Sequence, residues 1–138
     1  MKIYCEIVKN TEMGIQAIDN IMNYVESEKL KNVLLLQKDA MSELLTIAKR
    51  ELSREELDES LSSKMQKTML KAGVHMNAMF NSENTHIASL LIDGYNTGLT
   101  SVQRCINELT NNGVDVPEIG KDLIKLYDKN IKTLRTYL

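Results

Sequence analysis

The sequence predicts an all-α fold, a four-helix bundle, and three observations carry that expectation. Apolar residues recur every three to four positions almost end to end, the period of one buried helix face. Six Gly and one Pro are too few for the turns of an all-β chain. With one Phe, five Tyr and no Trp, the core falls to Leu, Ile, Val, Ala and eight Met. A chain of 138 residues buries one full core and reads as a single domain over 1–138.

The first helix, expected near 5–27, places Tyr4, Ile7, Ile15, Ile18, Ile21, Met22 and Val25 on one face. The phase of that stripe slips between Glu26 and Lys29, with no Gly or Pro at the junction. A second stripe, Leu30, Leu34, Met41, Leu44, Leu45, Ala48 and Leu52, predicts a helix near 30–53. Residues 49–63 are mostly Arg, Glu, Asp and Ser and read as a frayed end and polar connector. A shorter helix is expected near 64–80.

Asn81 or Ser82 offers a capping oxygen to a long helix near 83–112, with Glu83 favourable in its first turn. Its stripe runs Ile87, Leu90, Leu91, Tyr95, Leu99, Val102, Cys105, Ile106, Leu109, and Asn111-Asn112-Gly113 ends it. The last helix, near 116–137, opens on Asp115-Val116-Pro117-Glu118, with Asp expected to cap and Pro to occupy the first turn. Its stripe is Ile119, Leu123, Leu126, Tyr127, Ile131, Leu134, Leu138.

Connection lengths order these helices. Short links make helices one and two antiparallel neighbours, and likewise the last two. The middle link, about 30 residues, is long enough to return the chain along the bundle, so a ferritin-like bundle is expected, its one long crossover carrying the extra short helix.

Four segments are similar to a known group of proteins: Asn10-Thr11-Glu12-Met13-Gly14-Ile15, His75-Met76-Asn77, His86-Ile87-Ala88-Ser89-Leu90-Leu91-Ile92-Asp93-Gly94 and Asn130-Ile131-Lys132-Thr133-Leu134. Together they resemble an uncharacterised family of small bacterial proteins placed in the ferritin-like superfamily. The resemblance implies a four-helix ferritin-like bundle and no established activity. Known members of that superfamily bind two metal ions through a Glu from each of two helices and Glu-x-x-His from each of the others. This chain departs from that pattern.

A di-metal site needs about four inward carboxylates and two His. Glu12, Asp19 and Glu26 repeat every seven residues but lie one step off the apolar seam. Asp39 and Glu43 stand about 200° round the helix from the core, and Asp93 and Asp128 flank their stripes. The single Glu-x-x-His, Glu83-Asn84-Thr85-His86, occupies a helix's first turn, where capping explains it. Glu83, His86 and His75 are therefore weak metal candidates, and no cofactor is expected. Met65, Met69, Met76 and Met79 with His75 could serve a soft metal, although helical Met is ordinarily adaptable packing.

The seam itself is interrupted by Thr11, Gln37 and Asn130, which read as a buried polar layer fixing register or lining a small ligand pocket. Gly94 and Gly98, one turn apart, read as a close approach of a neighbouring helix. Lys121, Lys125, Lys129, Lys132 and Arg135 line the last helix, but Glu118, Asp122 and Asp128 intersperse them, so a solvated face is expected.

A net charge of -2, from 17 basic and 19 acidic residues, supplies no field for nucleic acid or an anionic membrane. Cys5 and Cys105 are too few for a disulfide framework. The opening residues reach a charge before any apolar run, and no segment matches a membrane span. A cytoplasmic protein is expected, associating with itself or another protein. Two functions follow: a non-enzymatic binding or assembly module, or a cryptic metal-binding protein, either a metal store or a metal-dependent oxidoreductase.

Overall fold

Residues 2–52 and 83–138 are described in the computed structural model, and four α-helices make up nearly all of them. They are α1 (Lys2–Met22), α2 (Glu28–Glu51), α3 (Asn84–Asn111) and α4 (Glu118–Arg135). The helix expected near 64–80, its Met and His75, and the caps Asn81 and Ser82 lie outside the described residues.

The α1–α2 junction has a polar signal that periodicity hides. Ser27 takes an extended conformation and its side chain accepts from the Leu30 amide at 3.2 Å, capping α2, with Glu28 in the first turn. Thus α1 ends at Met22, short of the expected 27, and α2 begins at Glu28. Val25 misleads because it is 3% exposed, packing into the core from the connecting turn rather than from a helix.

α3 stops at a Schellman motif. Gly113 adopts φ +70°, its amide donates to Thr110 O at 3.1 Å, and the Val114 amide reaches Leu109 O at 2.9 Å. At the start of α4 the expectation for Asp115 is corrected. Pro117, not Asp115, holds the cap position with φ −56° and ψ 140°, and Glu118 begins the helix. Proline's fixed φ suits this step, so no side-chain oxygen is needed. Leu138, expected on the last stripe, lies beyond α4 and is exposed.

Both α1 and α4 pack against α2 and α3, so α1 faces α4, and α2 faces α3, across the diagonals. Ion pairs Asp19–Lys38 at 2.5 Å and Glu12–Lys49 at 2.9 Å run α1 and α2 antiparallel. Lys2–Glu108 at 2.7 Å sets the start of α1 beside the end of α3, so these are antiparallel too. Thr85 Oγ1 donates to Tyr137 O at 3.1 Å, which joins the start of α3 to the end of the chain. α2 and α3 therefore run parallel, with Leu52 and Glu83 at opposite ends of the bundle.

The core is aliphatic. Ile3, Ile7, Ile18, Leu30, Leu34, Met41, Ile87, Leu123 and Leu134 are fully buried. Each such side chain contributes about 1.5–3 kcal/mol over an exposed one. Among the described residues no helix is long and apolar enough to cross a membrane.

Candidate functional site

Halfway along the bundle the apolar core gives way to a polar level to which every helix contributes. Thr11 and Asn10 of α1, Gln37 of α2, and Asn130 of α4 are buried, as are Tyr95 of α3 and Tyr127 of α4. Thr11 bonds within its own helix, its Oγ1 donating to Ile7 O at 2.7 Å. It makes no hydrogen bond to another helix among the described residues.

The other groups reach between helices. Tyr95 donates its hydroxyl to Gln37 Oε1 at 2.7 Å, linking α3 to α2 across the diagonal. Tyr127 donates to the Asn10 backbone carbonyl at 3.1 Å, linking α4 to α1. The two rings lie 4.8 Å apart and tilted by 52°, a favourable aromatic geometry. Burial pushes the Tyr95 phenol well above its ordinary value, opposed by the Asn130 amide beside it. Burial raises Tyr127 as well, with the Tyr95 charge adding to it. Both hydroxyls are therefore fixed as neutral donors. Gln37 Nε2 and Asn130 Nδ2 are buried with no hydrogen-bond partner among the described residues.

Tyr95, Tyr127 and Asn10 escape a reading based on apolar periodicity, because a tyrosine scores as an ordinary stripe residue. The available signal is chemical: a buried hydroxyl demands a partner, and Gln37 on the facing seam can supply one.

The glycine pair divides. At Gly98 a Cβ would sit 2.6 Å from Asn10 Oδ1 and 2.7 Å from Tyr127 Cε2, so the helices meet there. At Gly94 it would meet nothing within 4 Å, and the residue is exposed. The close-packing expectation for Gly94 is thus corrected. α1 and α3 diverge past Gly98 and leave a groove of about 400 Å³ between them. Met13, Ala17, Leu90 and Leu91 give it apolar walls, Tyr95, Tyr127 and Asn10 line its depth, and Lys9, Gln16 and Asp93 stand along it.

The metal candidates are dispersed. Glu83 caps α3 with its backbone and is exposed, His86 is half-buried one turn on, and His75 lies outside the described residues. Asp19, Glu26, Asp39, Glu43, Asp93 and Asp128 are exposed, while Glu12 pairs with Lys49. Among the described residues no three His, Cys, Asp or Glu side chains converge. Cys105 is buried, which pushes its thiol up and makes it unreactive, and neither cysteine is in a disulfide. Lys121, Lys125, Lys129, Lys132 and Arg135 are all exposed.

No protein-family model matches the chain, and no curated protein or solved structure does so either. The family resemblance of the sequence therefore carries no further than a four-helix all-α protein.

Proposed function

We propose that the chain is an assembly module, a helical bundle that pairs with a second copy of itself through the outer face of α2. The observation that carries this reading is a second apolar stripe on α2, about 100° round from the core seam. Val33, Leu36, Ala40, Leu44 and Ile47 follow the three-four spacing of a helix-pairing seam, with Leu44, half-buried against the core, at its inner edge. Leu36 is 70% exposed and Ile47 42% exposed, unusual for large apolar residues in register on one face.

The stripe is self-complementary when two copies run antiparallel about Ala40. Leu36 then meets Leu44 of the second copy, Val33 meets Ile47, and the small Ala40 falls at the crossing. The same register brings Lys29 opposite Glu51, so charges at the two ends of the seam attract. A twofold contact of this kind closes on itself and yields a dimer rather than a filament. The wiring we read as ferritin-like, supported by the parallel course of α2 and α3 and by the long connection between them.

Sedimentation velocity over a wide concentration range tests the assembly. A dimer is expected for the native chain, and a monomer of unchanged helicity for the double variant Leu36→Glu, Ile47→Glu. A native monomer throughout, or a variant that still dimerises, would refute it.

A further inference from the structure

We infer that the groove between α1 and α3 is a binding site for a slender amphiphile with a cationic end, an alkylammonium. Glycine weakens a helix interior relative to alanine, and a helical glycine is usually explained by a close neighbour. Gly94 has none, since a Cβ there would meet nothing within 4 Å. The space it clears is used by no other part of the described chain, and it opens directly into the groove.

The dimensions choose the occupant. A volume of about 400 Å³ lies in the range of small-molecule sites. A partner helix packing on the glycine pair is excluded, because Asn10 and Tyr127 already occupy the approach to Gly98. Along α1 the groove runs from Lys9 to Asn20, about 16 Å by helix rise. From Asp93 to Ser101 on α3 it extends about 12 Å by helix rise, near the length of an extended decyl chain, with Met13 of α1 beside the tail.

Charge chooses the head. Lys9 stands 3.6 Å from Glu6, so the cation at that end is compensated. Gln16 and Asn20 bond each other and carry no charge. The carboxylate of Asp93 is exposed beside Gly94 and makes no ion pair among the described residues. An ammonium group placed there gains a partner, and a carboxylate there is repelled. No α2 residue lines the groove, so the site does not depend on the self-association proposed above.

The test is titration of the full chain with decylammonium, decanol and decanoate, each below its micelle concentration, followed by calorimetry and amide NMR shifts. One decylammonium per chain is expected, with shifts confined to groove residues, and the order of affinity ammonium, alcohol, carboxylate. Asp93→Asn lies on the surface and leaves folding intact; it should weaken decylammonium by about two- to fivefold and leave decanol unchanged. Gly94→Leu fills the cleared space without touching the core. It should weaken the ammonium and the alcohol at least tenfold at native helicity and undiminished Tm. Absence of saturable binding, equal binding of all three heads, preference for decanoate, or native affinity in Gly94→Leu would each overturn the assignment.

Discussion

Tyr95 and Gln37 show how one buried hydrogen bond constrains two helices that otherwise face each other only across a diagonal. Its hydroxyl donates over 2.7 Å to an amide whose own nitrogen has no partner among the described residues. Such a pair costs more to halve than to delete, because removing one member strands the other in a low-dielectric interior. Gln37→Leu alone should destabilise the fold by about 1–3 kcal/mol, and Gln37→Leu with Tyr95→Phe by clearly less than the sum of the single changes. Denaturant unfolding of the four chains measures this; strict additivity would show that the bond carries no coupling. The two tyrosines also set an alkaline limit. Burial raises both phenols above the unfolded value of about 10, so the folded chain keeps protons that the unfolded chain releases. Their contribution is full below pH 10 and is lost as pH rises further, by about 1.4 kcal/mol per pH unit for each tyrosine. Tyr127→Phe should lower that slope between pH 10 and 11, and an unchanged slope would assign alkaline unfolding to other groups.

At the scale of elements, helices were legible in proportion to their chemistry of termination. The end of α3 could be read from Asn112-Gly113, because the left-handed turn that closes a helix favours glycine, and Gly113 makes it. The start of α2 could not be read from periodicity, since buried Val25 continues the apolar rhythm through a turn. Ser27 was the missed signal. Ser27→Ala should therefore lower stability by about 1 kcal/mol through loss of its bond to the Leu30 amide, as thermal unfolding would register. The glycines of α3 show a different limit: the spacing of Gly94 and Gly98 is visible in sequence, but which faces a neighbour is decided by the divergence of α1 from α3. Opposite outcomes follow for one substitution. Gly94→Ala should stabilise by about 0.5–1 kcal/mol, since it improves helix propensity in open space. Gly98→Leu forces a side chain onto Asn10 and the Tyr127 ring and should cost about 1–3 kcal/mol. Destabilisation at both positions would mean that Gly94 too is packed.

For the whole molecule, the four-helix class follows from a 3.6-residue rhythm that any bundle must obey, which is why it survives while the finer assignment of a family does not. The same rhythm says nothing of chemistry, since Tyr95 and Tyr127 enter it as apolar residues and the groove arises only from how two helices separate. Direction is the property that links sequence to architecture, because the length of the middle connection decides whether α2 and α3 are antiparallel or parallel. Parallel α2 and α3 make a distance prediction that needs no knowledge of the connection itself. Taking the Tyr95–Gln37 bond as a common level, Arg50 lies about 20 Å further along α2 and Glu83 about 18 Å back along α3. Spin labels at these two sites, with Cys5 and Cys105 replaced by Ser and the labelled chain diluted in unlabelled protein, should report a separation of about 35–40 Å. Labels at Arg50 and Arg104 should instead lie within about 20 Å, since both stand toward the same end and diagonal helix axes are separated by about 14 Å. An antiparallel arrangement exchanges the two results, placing Arg50 near Glu83 and far from Arg104, and that exchange would refute the wiring whatever the helix content of the protein.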